Sequence, residues 1–193
     1  MTELAVPGLR AARPAGWWGM ALFVATEATL FGTIFGTYLY LRSQAVHWPP
    51  AGVEPPKALV PLVLAGVLVL TTLPLWSALR SARDGQSGRA CLAILLAFAV
   101  QCGCLATQLV LFAHDLDRFP PGKSAYASIY FTMLGAHAAH AAAGMLLEIW
   151  LVVRLAGGVT RYRLVALQTT VLYWAFVAVL TVLVVAVQLS PRL

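Results

Sequence analysis

The residues of this chain that could do chemistry are few, and they stand where polar groups are expensive to keep. Glu27, Gln101, Gln108, His137, His140, Glu148 and Gln168 each lie inside a long apolar run. A charged side chain at the centre of a bilayer helix costs on the order of 3 kcal/mol, so every intramembrane ionisable group is a functional candidate. Glu27, in "FVATEATLFGTIFGTYLYLR", is about ten residues into its run, which at 1.5 Å per residue puts it roughly 15 Å deep, near the midplane. A bare carboxylate is untenable there. Glu27 must be protonated, paired, or turned towards a wet or protein-filled interior. Two readings stay open: a neutral acid hydrogen-bonded to a neighbouring helix, and a group that holds or passes protons.

His137 and His140 stand three positions apart in "GAHAAHAAAGM", so on a helix they project within about 60° of each other, with Glu148 on a neighbouring part of that face. Glu27 from another helix could complete a carboxylate and histidine metal site of the four-helix type. The count argues against it, because such sites draw several carboxylates from different helices and the spans hold only Glu27 and Glu148. Nor can two adjacent turns of one helix ligate both sides of one haem. The expectation is no metal on this chain, with the imidazoles hydrogen-bonding between helices. No Ser-His-Asp set, phosphate loop or paired-cysteine motif is present for hydrolase or kinase chemistry.

The elements that must position these groups follow from composition. The 193 residues are 61% hydrophobic and 10% charged, far from the charged quarter of a soluble domain, so this is an integral membrane protein. Apolar runs long enough to cross the hydrocarbon predict five helices, at about 17–41, 58–80, 90–113, 126–153 and 164–189. The fold expected is an all-α bundle of five transmembrane helices forming a single domain, 17–193, behind a tail, 1–16, that has no apolar core and so does not read as a cleaved signal. Pro61 and Pro74 fall in the second run, where neighbouring helices can satisfy the freed backbone groups.

Arg10, Arg13, Arg80, Arg83, Arg89, Arg154, Arg161 and Arg163 lie at one set of helix ends. Arg42, Lys57, Arg118, Lys123 and Arg192 lie at the other, beside Glu54, Asp115 and Asp117. That bias predicts a cytoplasmic N-terminus and an outside C-terminus, and it accounts for the net positive charge without nucleic acid as a partner. Cys91, Cys102 and Cys104 share the third run; Cys102 and Cys104 point about 200° apart on a helix and read as packing thiols. Small residues suit close helix packing: Gly32 and Gly36 in the first run, Gly135 and Gly144 in the fourth. His47 and His114, at the edges, read as interfacial.

Four segments together resemble subunit III of the haem-copper terminal oxidases, the cytochrome c and quinol oxidases. In the first, Glu27 takes the place of that family's buried glutamate. In "CLATQLVLF", Gln108 matches a family glutamine. The block "SAYASIYFTMLGAHAAHAAAGMLLEIWLVVR" matches Tyr126, Ser128, Gly135, His137, His140, Gly144 and Arg154, and "LYWAFVAVL" matches the last-helix motif at Tyr173, Trp174 and Phe176. The resemblance covers about 17–189 and suggests a short form without the two helices that open the long one.

It implies a non-catalytic subunit of a respiratory oxidase in the cell inner (plasma) membrane that binds no cofactor itself. Haem and copper would sit on partner subunits, chiefly subunit I, with membrane phospholipid as a structural ligand and a role in sustaining proton uptake. A buried polar cluster of Glu27, His137, His140, Glu148 and Gln108 would carry that role. Departures from the family pattern are Ala175, Ala178, Gln168 and Leu111, where polar or acidic residues are usual, and Glu148, an additional acid. Two alternatives remain at this stage, an accessory subunit of a nitric oxide reductase and a small free-standing transporter. Electron donor and haem types would be set by other chains.

Overall fold

The computed structural model describes residues 13–50, 52–53 and 58–190, so most of the expected tail, and Arg10, Glu54, Lys57 and Arg192 of the charge argument, lie outside the described residues. Among those described, the regular structure is helical: α1 Ala15–Gln44, α2 Leu59–Leu70, α3 Thr72–Arg83, α4 Ser87–Arg118, a 3₁₀ turn Pro121–Lys123, α5 Ala125–Ala156 and α6 Arg161–Leu189. Five segments are long and apolar enough to cross a membrane, with α2 and α3 together making one, Leu59–Arg83.

Each helix runs past the apolar stretch that predicts it. Loss of hydrophobicity marks the edge of the hydrocarbon, but a helix stops only where its backbone hydrogen bonds stop. α4 thus continues through His114, Asp115 and Asp117 and ends at Arg118, with Phe119 as its C-cap ahead of the Pro120–Pro121 pair. Ser124 then caps α5 by accepting from the Ala127 amide at 3.1 Å, and Thr160 caps α6 from Arg163 at 3.3 Å. The turns before α4 and α6 pass through Gly85 (φ 75°) and Gly158 (φ 93°), backbone positions that a side chain would strain.

The second span departs from the expected single helix. Pro74 has no N–H to give the Leu70 carbonyl, and the helix divides at Thr71. The Thr71 hydroxyl donates to Leu68 O at 2.6 Å, holding the break tight and leaving its lone pairs turned into the bundle.

α6 is the central element. Its most apolar window is 56% buried, against 11% for α1, and it packs on α1, α2, α3 and α5. Two cores flank it. One, towards the α3–α4 turn, is built on Leu75, Ala78, Ala90, Ile94, Leu151 and Trp174, with alanines letting α3 and α4 approach. The other, towards the α4–α5 turn, is aromatic, with Phe31, Tyr38, Tyr126, Tyr130 and Phe131 buried and Phe176 partly buried against them. The polar residues lie between and beside these cores.

Candidate functional site

The intramembrane polar residues form three separate hydrogen-bonded groups rather than one cluster. The first joins α1 to α5: Glu27 Oε2 is 2.9 Å from His140 Nε2, both side chains being 15–20% exposed in the isolated chain. His140 Nδ1 is 2.7 Å from the Ala136 carbonyl, which can only accept, so Nδ1 carries a proton. The remaining bond then has one proton to share: either the imidazole is neutral and Glu27 is the acid that donates, or His140 is an imidazolium facing a carboxylate. In both forms the pair is neutral overall and holds one transferable proton. Phe31 packs edge-on to the imidazole with ring centroids 5.1 Å apart. From α6, the Tyr173 hydroxyl donates to the His140 carbonyl at 3.0 Å.

His137, one turn earlier on α5 and 3% exposed, reaches α4 and α6 instead of α1. Its Nε2 is 2.9 Å from Thr181 Oγ1 on α6, and its Nδ1 is 3.2 Å from Gln108 Nε2 on α4. Thr181 gives its own proton to the Val177 carbonyl at 2.8 Å and is therefore an acceptor towards the ring. This assigns the tautomer: Nε2–H donates to Thr181, and Nδ1 accepts from the Gln108 amide. Both nitrogens of a neutral imidazole are satisfied.

The third group holds Glu148, which is fully buried. Gln101 Nε2 donates to Glu148 Oε1 at 3.0 Å and, at 3.4 Å, to Thr71 Oγ1, which also accepts from Trp174 Nε1 at 2.9 Å. Glu148 Oε2 and Gln101 Oε1 are the buried side-chain oxygens left without a partner among the described residues, and they belong to the same bonded pair. A carboxylic acid at Glu148 donating to Gln101 Oε1 would close a reciprocal acid–amide pair and leave neither orphaned.

Placed against the sequence, the five proposed cluster residues therefore separate: Glu27 meets His140, Gln108 meets His137, and Glu148 meets Gln101. Of the four glycines read as packing sites, Gly144 lies directly against Trp174 and Tyr173 on α6. Gly32, Gly36 and Gly135 have open space where a Cβ would stand, with no close neighbour among the described residues. Tyr173 and Trp174 both bond across to other helices, while Phe176 packs without one. Thr71, Tyr130, Asp115 and Gln188 were not singled out by spacing, yet the Tyr130 hydroxyl donates to Asp115 Oδ2 at 2.9 Å and accepts from Gln188 at 3.1 Å. Only the Pro74 break could have drawn attention to Thr71. Among the described residues, no three His, Cys, Asp or Glu side chains come together in a group that could hold a metal ion.

Comparison with known proteins agrees with the resemblance. The family model described as cytochrome c oxidase subunit III matches residues 11–189. The chain is 27% identical over 177 residues to the cytochrome bo(3) ubiquinol oxidase subunit 3 of Pseudomonas aeruginosa, covering 89% of this chain and 81% of that one. It is 29% identical to the cytochrome c oxidase subunit 3 of Bacillus subtilis, with 89% and 83% covered. With the probable quinol oxidase subunit 3 of Staphylococcus haemolyticus the identity is 24%, with 88% and 84% covered. These matches lend no support to a nitric oxide reductase subunit or a free-standing transporter.

Proposed function

The chain belongs to the cytochrome c oxidase subunit III family, the third subunit of haem-copper terminal oxidases, and we propose that within such a complex it is the non-redox subunit that keeps the catalytic subunit supplied with protons. On this reading it lies beside subunit I, which carries the haems and copper, in the inner (plasma) membrane, with phospholipid among its structural contacts. The arginines at the α3–α4 and α5–α6 turns favour an N-terminus on the cytoplasmic side.

The observation that carries this reading is the 2.9 Å contact between Glu27 and His140. Because His140 Nδ1 is committed to a carbonyl, the pair keeps one mobile proton near mid-membrane without net charge, which is what a proton store in hydrocarbon requires. The four positions where the family pattern is polar and this chain has Ala175, Ala178, Gln168 and Leu111 leave this pair as the proton-holding element on the α1 side.

The test is purification in mild detergent from the native membrane through a C-terminal tag, followed by a reduced-minus-oxidised spectrum and identification of the co-purifying chains by mass. Haem bands accompanied by a large haem- and copper-binding partner are the expected result. A colourless chain that purifies alone would overturn the reading.

A further inference from the structure

A cavity of about 360 Å³ runs between α2, α4, α5 and α6 and does not include the Glu27–His140 pair. At one end are His114, Asp115 and Arg118 on the last turns of α4; at the other are Gln108, His137 and Thr181. From Arg118 to Cys104 the cavity follows fourteen residues of α4, roughly 21 Å at 1.5 Å per residue.

Its two long walls differ. α2 contributes Pro61, Leu64 and Leu68, all apolar. The opposite wall carries two hydrogen-bonded rungs, Asp115–Tyr130–Gln188 near the α4–α5 turn and Gln108–His137–Thr181 deeper in. The bonds within these rungs use the amide nitrogens of Gln108 and Gln188. Their amide oxygens accept no bond from the described residues, and they are not among the sealed, orphaned atoms. Both side chains line the cavity, Gln108 also bordering a second groove beside Leu105 and Gly135.

What fills such a space is decided by those oxygens. A lipid tail would leave two amide oxygens and a carboxylate edge facing hydrocarbon, at a cost of several kcal/mol each. Water would satisfy them, and the volume suits about a dozen molecules at ~30 Å³ each, with polar partners along the whole wall. We propose that this cavity is a hydrated vestibule that opens at the α4–α5 end of the bundle and brings bulk water to His137. His137 then exchanges with the aqueous phase on that side, while the Glu27–His140 pair, outside the vestibule, does not. The two imidazoles, one helical turn apart, answer to different environments.

The native cysteines supply the probe, since Cys104, though buried among core residues, lines the cavity, while Cys102 packs partly buried against the same core and does not line it. A thiol reacts as the thiolate, which forms in water and not in hydrocarbon, so the rate of reaction with a charged, membrane-impermeant methanethiosulfonate reports hydration. Three variants are labelled in the assembled complex in sealed membrane vesicles, with unchanged haem spectra as the check on assembly. Cys91→Ala/Cys102→Ala retains Cys104, Cys91→Ala/Cys104→Ala retains Cys102, and Val184→Cys in a background lacking all three places a thiol between the rungs.

The vestibule requires Cys104 and the Val184→Cys variant to react at least about tenfold faster than Cys102, from the α4–α5 side only. Equal slow rates at all three positions, with labelling only by a membrane-permeant maleimide, would show a dry cavity and overturn the proposal. So would labelling of the Val184→Cys variant without Cys104, because water would then not fill the deep end of the cavity, where Cys104 stands one turn from Gln108 and its partner His137. The ratio of labelling rates is read on this chain alone, so a dry cavity and a failure of the oxidase reading give different results.

Discussion

Gly144 lies beneath the indole of Trp174, so close that a Cβ on it would stand 2.7 Å from Cε3 and 2.8 Å from Cζ3 of that ring. The relationship ties two recognisable motifs to one structural reason. α5 must offer a bare backbone for the Trp174 ring to stand this close and still reach Thr71 with its Nε1.

Gly144→Ala is therefore expected to destabilise the chain. The indole is 1% exposed and has nowhere to move without giving up its 2.9 Å bond to Thr71. Overpacking of this kind costs about 1–3 kcal/mol, read as a lower apparent Tm of the purified complex. Gly135→Ala, with no described atom within 4 Å of the new methyl, should lower that Tm less. An equal loss for both would mean that α5 suffers from something other than the Trp174 contact.

The Gln101–Glu148 pair predicts an asymmetry between two replacements of one acid. Glu148→Gln keeps an oxygen to accept from Gln101 and gains an N–H for the orphaned Gln101 oxygen, so stability should hold or rise. Glu148→Leu leaves the Gln101 amide buried with less to bond, at a cost of about 1–3 kcal/mol. Thermal unfolding of the two variants side by side is the check; a Gln variant as damaged as the Leu variant would count against reciprocal pairing.

For His137 the assigned tautomer makes Thr181 an acceptor. Thr181→Ser should be nearly silent, whereas Thr181→Val removes the acceptor and leaves the Nε2–H without its partner. Hydrogen bonds between transmembrane helices average about 0.6 kcal/mol and reach about 1.7, so the Val variant should melt a few degrees lower at most. Nitrogen-15 spectra of labelled histidine give a sharper readout: the Gln108 amide on Nδ1 keeps the Nε2–H tautomer in both variants, while the Nε2–H resonance shifts to that of an unbonded N–H in the Val variant but not in the Ser variant.

The five spans were legible because a bilayer asks for a fixed length of apolar residues, and α1, α4, α5 and α6 meet that demand plainly. The break at Thr71 was not, since Pro74 in an apolar run reads equally as a tolerated kink and only the packing of α2 on α6 decides. Each buried polar residue announced that it needed a partner, but not which one. Spacing on α5 put His137, His140 and Glu148 near one face. Small differences in azimuth then sent them to α4 and α6, to α1, and to Gln101 respectively. Tyr130, Asp115 and Gln188 escaped notice because each is ordinary near a membrane edge, and only three helices meeting there make them a network.

The Glu27–His140 pair allows a test that separates proton storage from mere packing. In Glu27→Gln, the amide can donate an N–H to His140 Nε2, keeping Nδ1 on the Ala136 carbonyl and the α1–α5 contact intact, but that proton cannot leave. The complex should assemble with unchanged haem content and Tm, while sustained oxygen reduction slows or inactivates sooner under turnover. In Glu27→Leu the imidazole loses its partner, so assembly and turnover should both suffer. The informative comparison is thus within one position: equal turnover for Glu27→Gln and the native complex would reduce the pair to an interhelical clamp. A Gln variant that is stable but fails during prolonged turnover would tie the loss to the missing mobile proton, since that is what the substitution removes while the contact remains.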